Sequence, residues 1–326
     1  MTESDRPQRS RVGAIIDGWC AFWFTPQPAY TLGLVRMMFG VVAVAWTLAL
    51  LPDLSKVFGE HGVAPQYTLL HYQWSVFEVW PGDRALLIGW ALLLLSAVAM
   101  TVGWHSRFAA VLVFVLIYSF LRRGVYIFNA GDSIIAIVAL ILALCSCGAA
   151  LSLDQRRRTG SFWSAETRAP WPIRLMQVQL SVIYLVSVQA KLSGGKSWAD
   201  GSATSYAWRT DGRWALLPAP EWLSSNAILV NAVTWGTLLI ELAIAVLVWN
   251  RRWRFWVLAA GVVMHVTMMV SMNVGFFSLA MFVLYLAFVP WEAVQAMPGT
   301  LKTRWRNRGR SSASPPQQPI DQAAAP

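Results

Sequence analysis

Apolar residues recur along this chain in eight blocks, at roughly 31–51, 85–103, 107–121, 133–151, 174–191, 228–249, 254–272 and 274–290, with polar segments between them. Crossing the hydrocarbon layer takes about 20 apolar residues, and a backbone in lipid must satisfy its own hydrogen bonds, so each block is read as a helix. The pattern predicts an all-α integral membrane protein, a bundle of about eight transmembrane helices. The blocks at 107–121 and 274–290 are short for the task. Ahead of the first block, Ile15, Ile16, Trp19, Phe22 and Trp23 follow three arginines and are interrupted by Asp17. That pattern predicts an amphipathic helix lying in the interface rather than a signal peptide.

Composition closes off the alternative of a soluble protein. Of the 326 residues 56% are hydrophobic and only 13% charged, about half the charged share that a water-facing surface requires. The net charge of +10 does not indicate nucleic acid, because the basic residues lie between the apolar blocks instead of forming a stripe. Counted by alternate loops, 17 Lys and Arg fall on the side of the termini and 7 on the other, which places both termini in the cytoplasm of an inner-membrane protein. The same residues attract anionic lipid headgroups. Many of the 19 Trp flank the blocks, as interfacial anchors do. Three segments result: a cytoplasmic segment 1–11, a membrane domain 12–292, and a tail 293–326 that is basic and then, past Arg310, polar, Pro-rich and disordered.

Ionisable groups inside the blocks are the candidates for chemistry, because a charge at mid-bilayer costs about 2.5–3.5 kcal/mol on insertion scales. Arg36 and Lys191 are the two basic ones. Arg36 either snorkels to the near interface or pairs with Glu241 or a loop carboxylate. Lys191 ends a stripe of Gln177, Tyr184 and Lys191 at heptad spacing, which faces the bundle interior; it is either a functional amine or a marker of the membrane boundary with Lys196 and Trp198. Glu241 and His265 lie within the sixth and seventh blocks, as an interhelical clasp or as part of a proton relay or ligand site. Asp132, in Asn129-Ala-Gly-Asp132, suits a helix cap. Arg122 and Arg123 run against the charge bias and suggest a negative group nearby. Cys145 and Cys147, read as helical, face different neighbours, and with four His in all no metal centre is expected.

Several ordered segments resemble the bacterial proteins carrying the horizontally transferred transmembrane domain (HTTM), related to vitamin K-dependent gamma-glutamyl carboxylase, over residues 12–292. They are Gln179–Tyr184, Ala190-Lys191-Leu192 and Trp198-Ala-Asp-Gly201, with Phe128–Asp132, Leu151–Asp154, Glu241, His265 and Asn273–Phe282. The resemblance implies that Lys191 is the base that deprotonates a reduced quinone of the vitamin K or menaquinol type, that His265 is also catalytic, and that Tyr184, Trp198, Asn129, Asp132 and Glu241 line the quinone site. A base there must be partly neutral near pH 7, which burial of an amine produces. The chain departs from the animal enzymes at Phe128-Asn129-Ala130, where they have a histidine implicated in handling carbon dioxide, and it lacks their large substrate-holding domain. The resemblance thus implies a quinol-dependent epoxidase or carboxylase-like lyase acting on a small-molecule or peptide substrate at the outer face. The alternatives are a small-molecule transporter and an accessory scaffold for processing or export of a secreted peptide.

Overall fold

The structure is a computed structural model and describes residues 11–63, 73–124 and 127–298. Helix α1 (Arg11–Phe24) leads through the two-residue strand β1 (Gln27–Pro28) into α2 (Tyr30–Leu50). A 3-10 turn, Leu51–Asp53, and the short helices α3 (Leu54–Phe58) and α4 (Val76–Val79) precede α5 (Asp83–Val102), α6 (Ser106–Arg123) and α7 (Ala130–Leu144). The chain then passes through α8 (Leu153–Thr159) and β2 (Thr167–Arg168), which pairs antiparallel with β1, into α9 (Trp171–Ser193). After the short helices α10 (Lys196–Ala199), α11 (Ala203–Thr210) and α12 (Glu221–Ser224) come α13 (Ala227–Leu247), α14 (Arg251–Ser271) and α15 (Phe277–Leu286). The all-α membrane fold is as the hydropathy pattern predicts.

Five of these helices, α2 with its extension, α5, α9, α13 and α14, are long and apolar enough to cross a membrane, and a sixth span is reached if the bent pair Phe277–Leu286 and Trp291–Pro298 is taken as one. The expected count was about eight. Three blocks fall short for identifiable reasons. Helix α6 carries Arg107 at its start and Arg122 and Arg123 in its last turn. Helix α7 has 15 residues, a length of about 22 Å against a hydrocarbon thickness of about 30 Å. The last block keeps a helix of only ten residues, Phe277–Leu286, and the chain bends by 92° into Trp291–Pro298 through a break that contains Pro290, whose missing N–H cannot continue a helix.

The block at 133–151 also overran its helix, because Cys145 is extended and ends α7. Both thiols are free and buried past the helix end, and they face different neighbours as expected: Cys145 donates to the Leu142 carbonyl at 3.5 Å and Cys147 to the Ser106 carbonyl at 3.6 Å.

Helices α2, α5, α6, α7 and α15 pack into the main core, while α9, α13 and α14 add a second group. Small residues set the closest approaches: a methyl on Gly40 would meet Thr101 of α5, and one on Gly131 would meet Phe277 at the start of α15. Arg36 neither snorkels nor pairs with a carboxylate. Its guanidinium is fully buried and donates to the carbonyls of Met100, Thr101 and Leu151, closing the C-terminal end of α5 onto the turn before α8.

Helix α1 has no buried residue, exposes Ile15, Ile16 and Trp19, and touches the bundle through Phe22, as an interfacial helix would. The first ten residues, residues 299–326 with the tail past Arg310, and His71 lie outside the described residues.

Candidate functional site

Lys191 sits in the last turn of α9, and its ammonium is ion-paired with Glu241 Oε1 from the middle of α13. The side chains are 20% and 8% exposed, so the pair is largely withdrawn from water. Ser187, one turn back from Lys191 on the same face, donates to the other carboxylate oxygen, Oε2, at 3.2 Å. The Lys191 Nζ lies 4.7 Å from the ring centroid of Trp198 in α10, a cation–π contact that covers the amine at the end of α9. The amine therefore has a carboxylate on one side and an indole face on the other. Glu241, for which the sequence offered Arg36 as a partner or a clasp between helices, pairs with Lys191.

Two turns back from Lys191 along α9, Tyr184 reaches the fully buried His265 of α14, with Tyr184 Oη and His265 Nε2 2.8 Å apart. The Tyr184 hydroxyl also bonds the Tyr285 hydroxyl of α15. His265 Nδ1 lies 3.2 Å from Ser278 Oγ, while Ser278 donates its own proton to the His265 carbonyl oxygen at 3.2 Å. With its only hydrogen committed there, Ser278 accepts from Nδ1–H, so Nε2 is left as the acceptor of the Tyr184 hydroxyl. The string then has one direction: Tyr285 donates to Tyr184, which donates to His265. Gly261 makes room for it, because a methyl there would strike the Tyr285 hydroxyl. The two groups share helix α9, with Tyr184, Ser187 and Lys191 spaced three and four residues apart along one face.

Asn129 and Asp132 have another task. Asn129 Oδ1 accepts from Gly131 N at 2.7 Å and Asp132 Oδ2 from Asn129 N at 2.8 Å, a capping box at the start of α7. The remaining carboxylate oxygen, Asp132 Oδ1, accepts the Trp46 indole N–H at 2.7 Å, tying α7 to α2. Their link to the polar string is indirect, through Phe277, which packs on Gly131 and lies 5.5 Å, centroid to centroid, from His265. Arg122 stacks on Tyr118 and Arg123 donates to the Phe58 carbonyl, with no carboxylate partner among the described residues. No group of three or more potential metal ligands occurs among the described residues.

Of the candidates read from sequence, the fold joins Lys191, Glu241, Trp198, Tyr184 and His265, and sets Asn129 and Asp132 apart as a cap. Sequence reading missed Ser187, Tyr285 and Ser278. Ser187 was findable, standing three residues after Tyr184 and four before Lys191; Tyr285 and Ser278 carry no such signal within an otherwise apolar helix.

No curated protein and no solved structure matches the chain. Residues 24–292 match the HTTM domain, starting at the end of α1 rather than at residue 12 and closing just after the break at Pro290. That span takes in every long helix and the whole polar cluster, and the protein is accordingly a multi-pass membrane protein of the HTTM domain family.

Proposed function

We propose that the outer end of the bundle is an acid–base site that accepts a proton from a lipid-soluble phenol of the reduced-quinone class. In this reading Lys191 receives the proton and Glu241 sets the charge of Lys191. The observation that carries the proposal is the Lys191–Glu241 pair, mostly out of water and faced by Trp198. An ammonium is not a base, but the pair holds one transferable proton. Moving it onto Glu241 frees the amine lone pair and leaves two neutral partners, which a low-dielectric site tolerates better than an isolated charge. Tyr184, His265 and Tyr285 then form a second, directed hydrogen-bond string able to carry a proton away.

The donor set fits a reduced quinone. Trp198 offers a ring face and Lys191 with Glu241 offers partners for a ring hydroxyl, while exposed Leu185 and Val186 on α9 and Leu239 on α13 offer an apolar path for a tail. When bound, a reduced quinone would supply the acidic hydroxyl and the electrons that reduce oxygen. The test is conversion of vitamin K hydroquinone or menaquinol to its epoxide by purified protein in lipid, with oxygen taken up and water released. Lys191→Ala should abolish it. Lys191→Arg should abolish it too while keeping the ion pair and the fold, because a guanidinium stays protonated. Absence of epoxide with both quinols, or full activity in Lys191→Arg, overturns the proposal. Proton-coupled solute uptake by the same protein in vesicles would favour the transporter instead.

A further inference from the structure

At the opposite end of the bundle, where α9 and α14 meet the break after α15, a cleft of about 790 Å³ opens. Its rim carries Arg174, Arg251 and Arg254 against one carboxylate, Glu292. The three guanidiniums are close enough that Arg251 and Arg174 both act on Arg254 as like charges. Among the described residues none of the three is ion-paired. Arg174 is aimed by Nε donating to the Phe22 carbonyl at 3.3 Å and one terminal nitrogen donating to Gln177 Oε1 at 3.0 Å, and Arg254 by Nε donating to the Val248 carbonyl at 2.9 Å. The guanidinium of Arg174 lies over the Phe22 ring at 4.7 Å and that of Arg254 over Phe288 at 5.6 Å, while the second terminal nitrogen of Arg174 and both of Arg254 have no hydrogen-bond partner among the described residues. The wall between them is apolar, with Leu258, Phe288 and Val289, and it is rigid at the break because Gln177 donates to the Ala287 carbonyl at 2.7 Å and Thr31 to the Val289 carbonyl at 3.0 Å.

Three like charges held together at the membrane boundary repel unless an anion lies between them. Among the described residues the cleft offers one carboxylate, Glu292, against three guanidiniums. The cleft exceeds what a bare phosphate fills and lies in the size range of sites for molecules with tens of atoms. It also continues into lipid-facing surface, since Phe255 on its rim and Trp256 beside it are 70% and 66% exposed.

We propose that this cleft binds the phosphate of an anionic phospholipid, its acyl chains lying along the exposed face of α14. Arg174 and Arg254 grip the headgroup with their free nitrogens, Arg251 adds charge at the rim, and the interfacial helix α1 is held beside the occupied site through the Phe22 carbonyl.

The experiment uses full-length protein, delipidated in neutral detergent and titrated with phosphatidylglycerol or with phosphatidylcholine, with bound lipid read by native mass spectrometry. Phosphatidylglycerol should be retained and phosphatidylcholine not. Arg254→Gln and the exposed Arg251→Gln should each weaken retention about tenfold, the scale of one charge-assisted contact, whereas Arg157→Gln, in α8 at the same end but outside the cleft, should leave it unchanged. Arg251→Gln keeps the test decisive if Arg254→Gln fails to fold. Inorganic phosphate in millimolar excess should not displace the lipid; if it does, the site takes soluble phosphate and the lipid assignment fails. Equal retention of the two lipids, or equal loss in Arg157→Gln and the cleft variants, overturns the proposal.

Discussion

A single buried charge is a liability, so the energetics of the candidate site turn on Lys191 and Glu241 being present together. Removing one member of such a pair leaves the other uncompensated, at a cost of about 3–5 kcal/mol, whereas replacing both with apolar residues of similar volume is close to neutral. Glu241→Gln and Lys191→Ala should therefore each lower the thermal midpoint, and Lys191→Met with Glu241→Leu together should restore most of it; a double variant as unstable as the sum of the singles would show that the pair is not coupled. The same coupling bears on function. Because the two side chains share one proton, loss of activity in Glu241→Gln alone cannot separate a base from a relay, and Lys191→Arg, which keeps the charge and removes the base, is the informative change. The sequence made Lys191 and Glu241 candidates through their cost in the bilayer. Their pairing was not legible, since the register of α9 against α13 is fixed by tertiary packing, and Arg36 was an equally available partner until its terminal nitrogens proved to donate to three carbonyls.

Helix ends carry the next level of organisation, and two of them use a carboxylate in opposite settings. At the start of α7 the capping box was readable from Asn129-Ala-Gly-Asp132 itself, because both ends of the box lie within four residues. Asn129→Ala should cost about 1 kcal/mol, the usual worth of a cap, and Asp132→Ala more, because it also strands the buried Trp46 indole N–H; equal unfolding midpoints for the two variants would contradict this. At the start of α6 the cap comes from another helix. Asp154 in α8 accepts His105 N at 2.9 Å and both the amide and hydroxyl of Ser106 at 2.7 Å. Nothing local in sequence marks that contact. Burial opposes ionisation of Asp154, but these donors prevail and hold its carboxyl below the ordinary value of 3.8. A carboxyl depressed in the folded state stabilises fully above its unfolded value and loses that contribution as pH falls through the folded one. The midpoint of the protein should thus drop in acid below about pH 3.8, and Asp154→Asn should be less stable near neutrality and shallower across that window. A variant with the unchanged acid profile would assign the acid sensitivity elsewhere.

At the scale of the whole molecule, the up-and-down order of the helices was legible because hydropathy averages over many residues and tolerates errors at the ends. Span lengths were not, since Cys145 ending α7 and Pro290 bending the last block are decided by a few backbone torsions. The structure gathers α1, the α5–α6 turn, α8, Arg174 and Arg251–Arg254 at one end, and Lys191, Trp198 and α11 at the other, so the charge bias of the loops becomes a bias between two physical faces. The face with the excess of Lys and Arg should be cytoplasmic, which would open the Lys191 site toward the opposite, outer side. Single-cysteine labelling tests this directly. Cys145 and Cys147 are buried, so only the exposed Cys20 has to be removed, as Cys20→Ser. In that background Ser202→Cys, beside α11, should react with a membrane-impermeant maleimide in intact cells, and Ser161→Cys, after α8, should react only once the membrane is opened. The reverse pattern would place the acid–base site in the cytoplasm and the arginine cleft outside, and a substrate delivered from the outer leaflet would then have no route to Lys191.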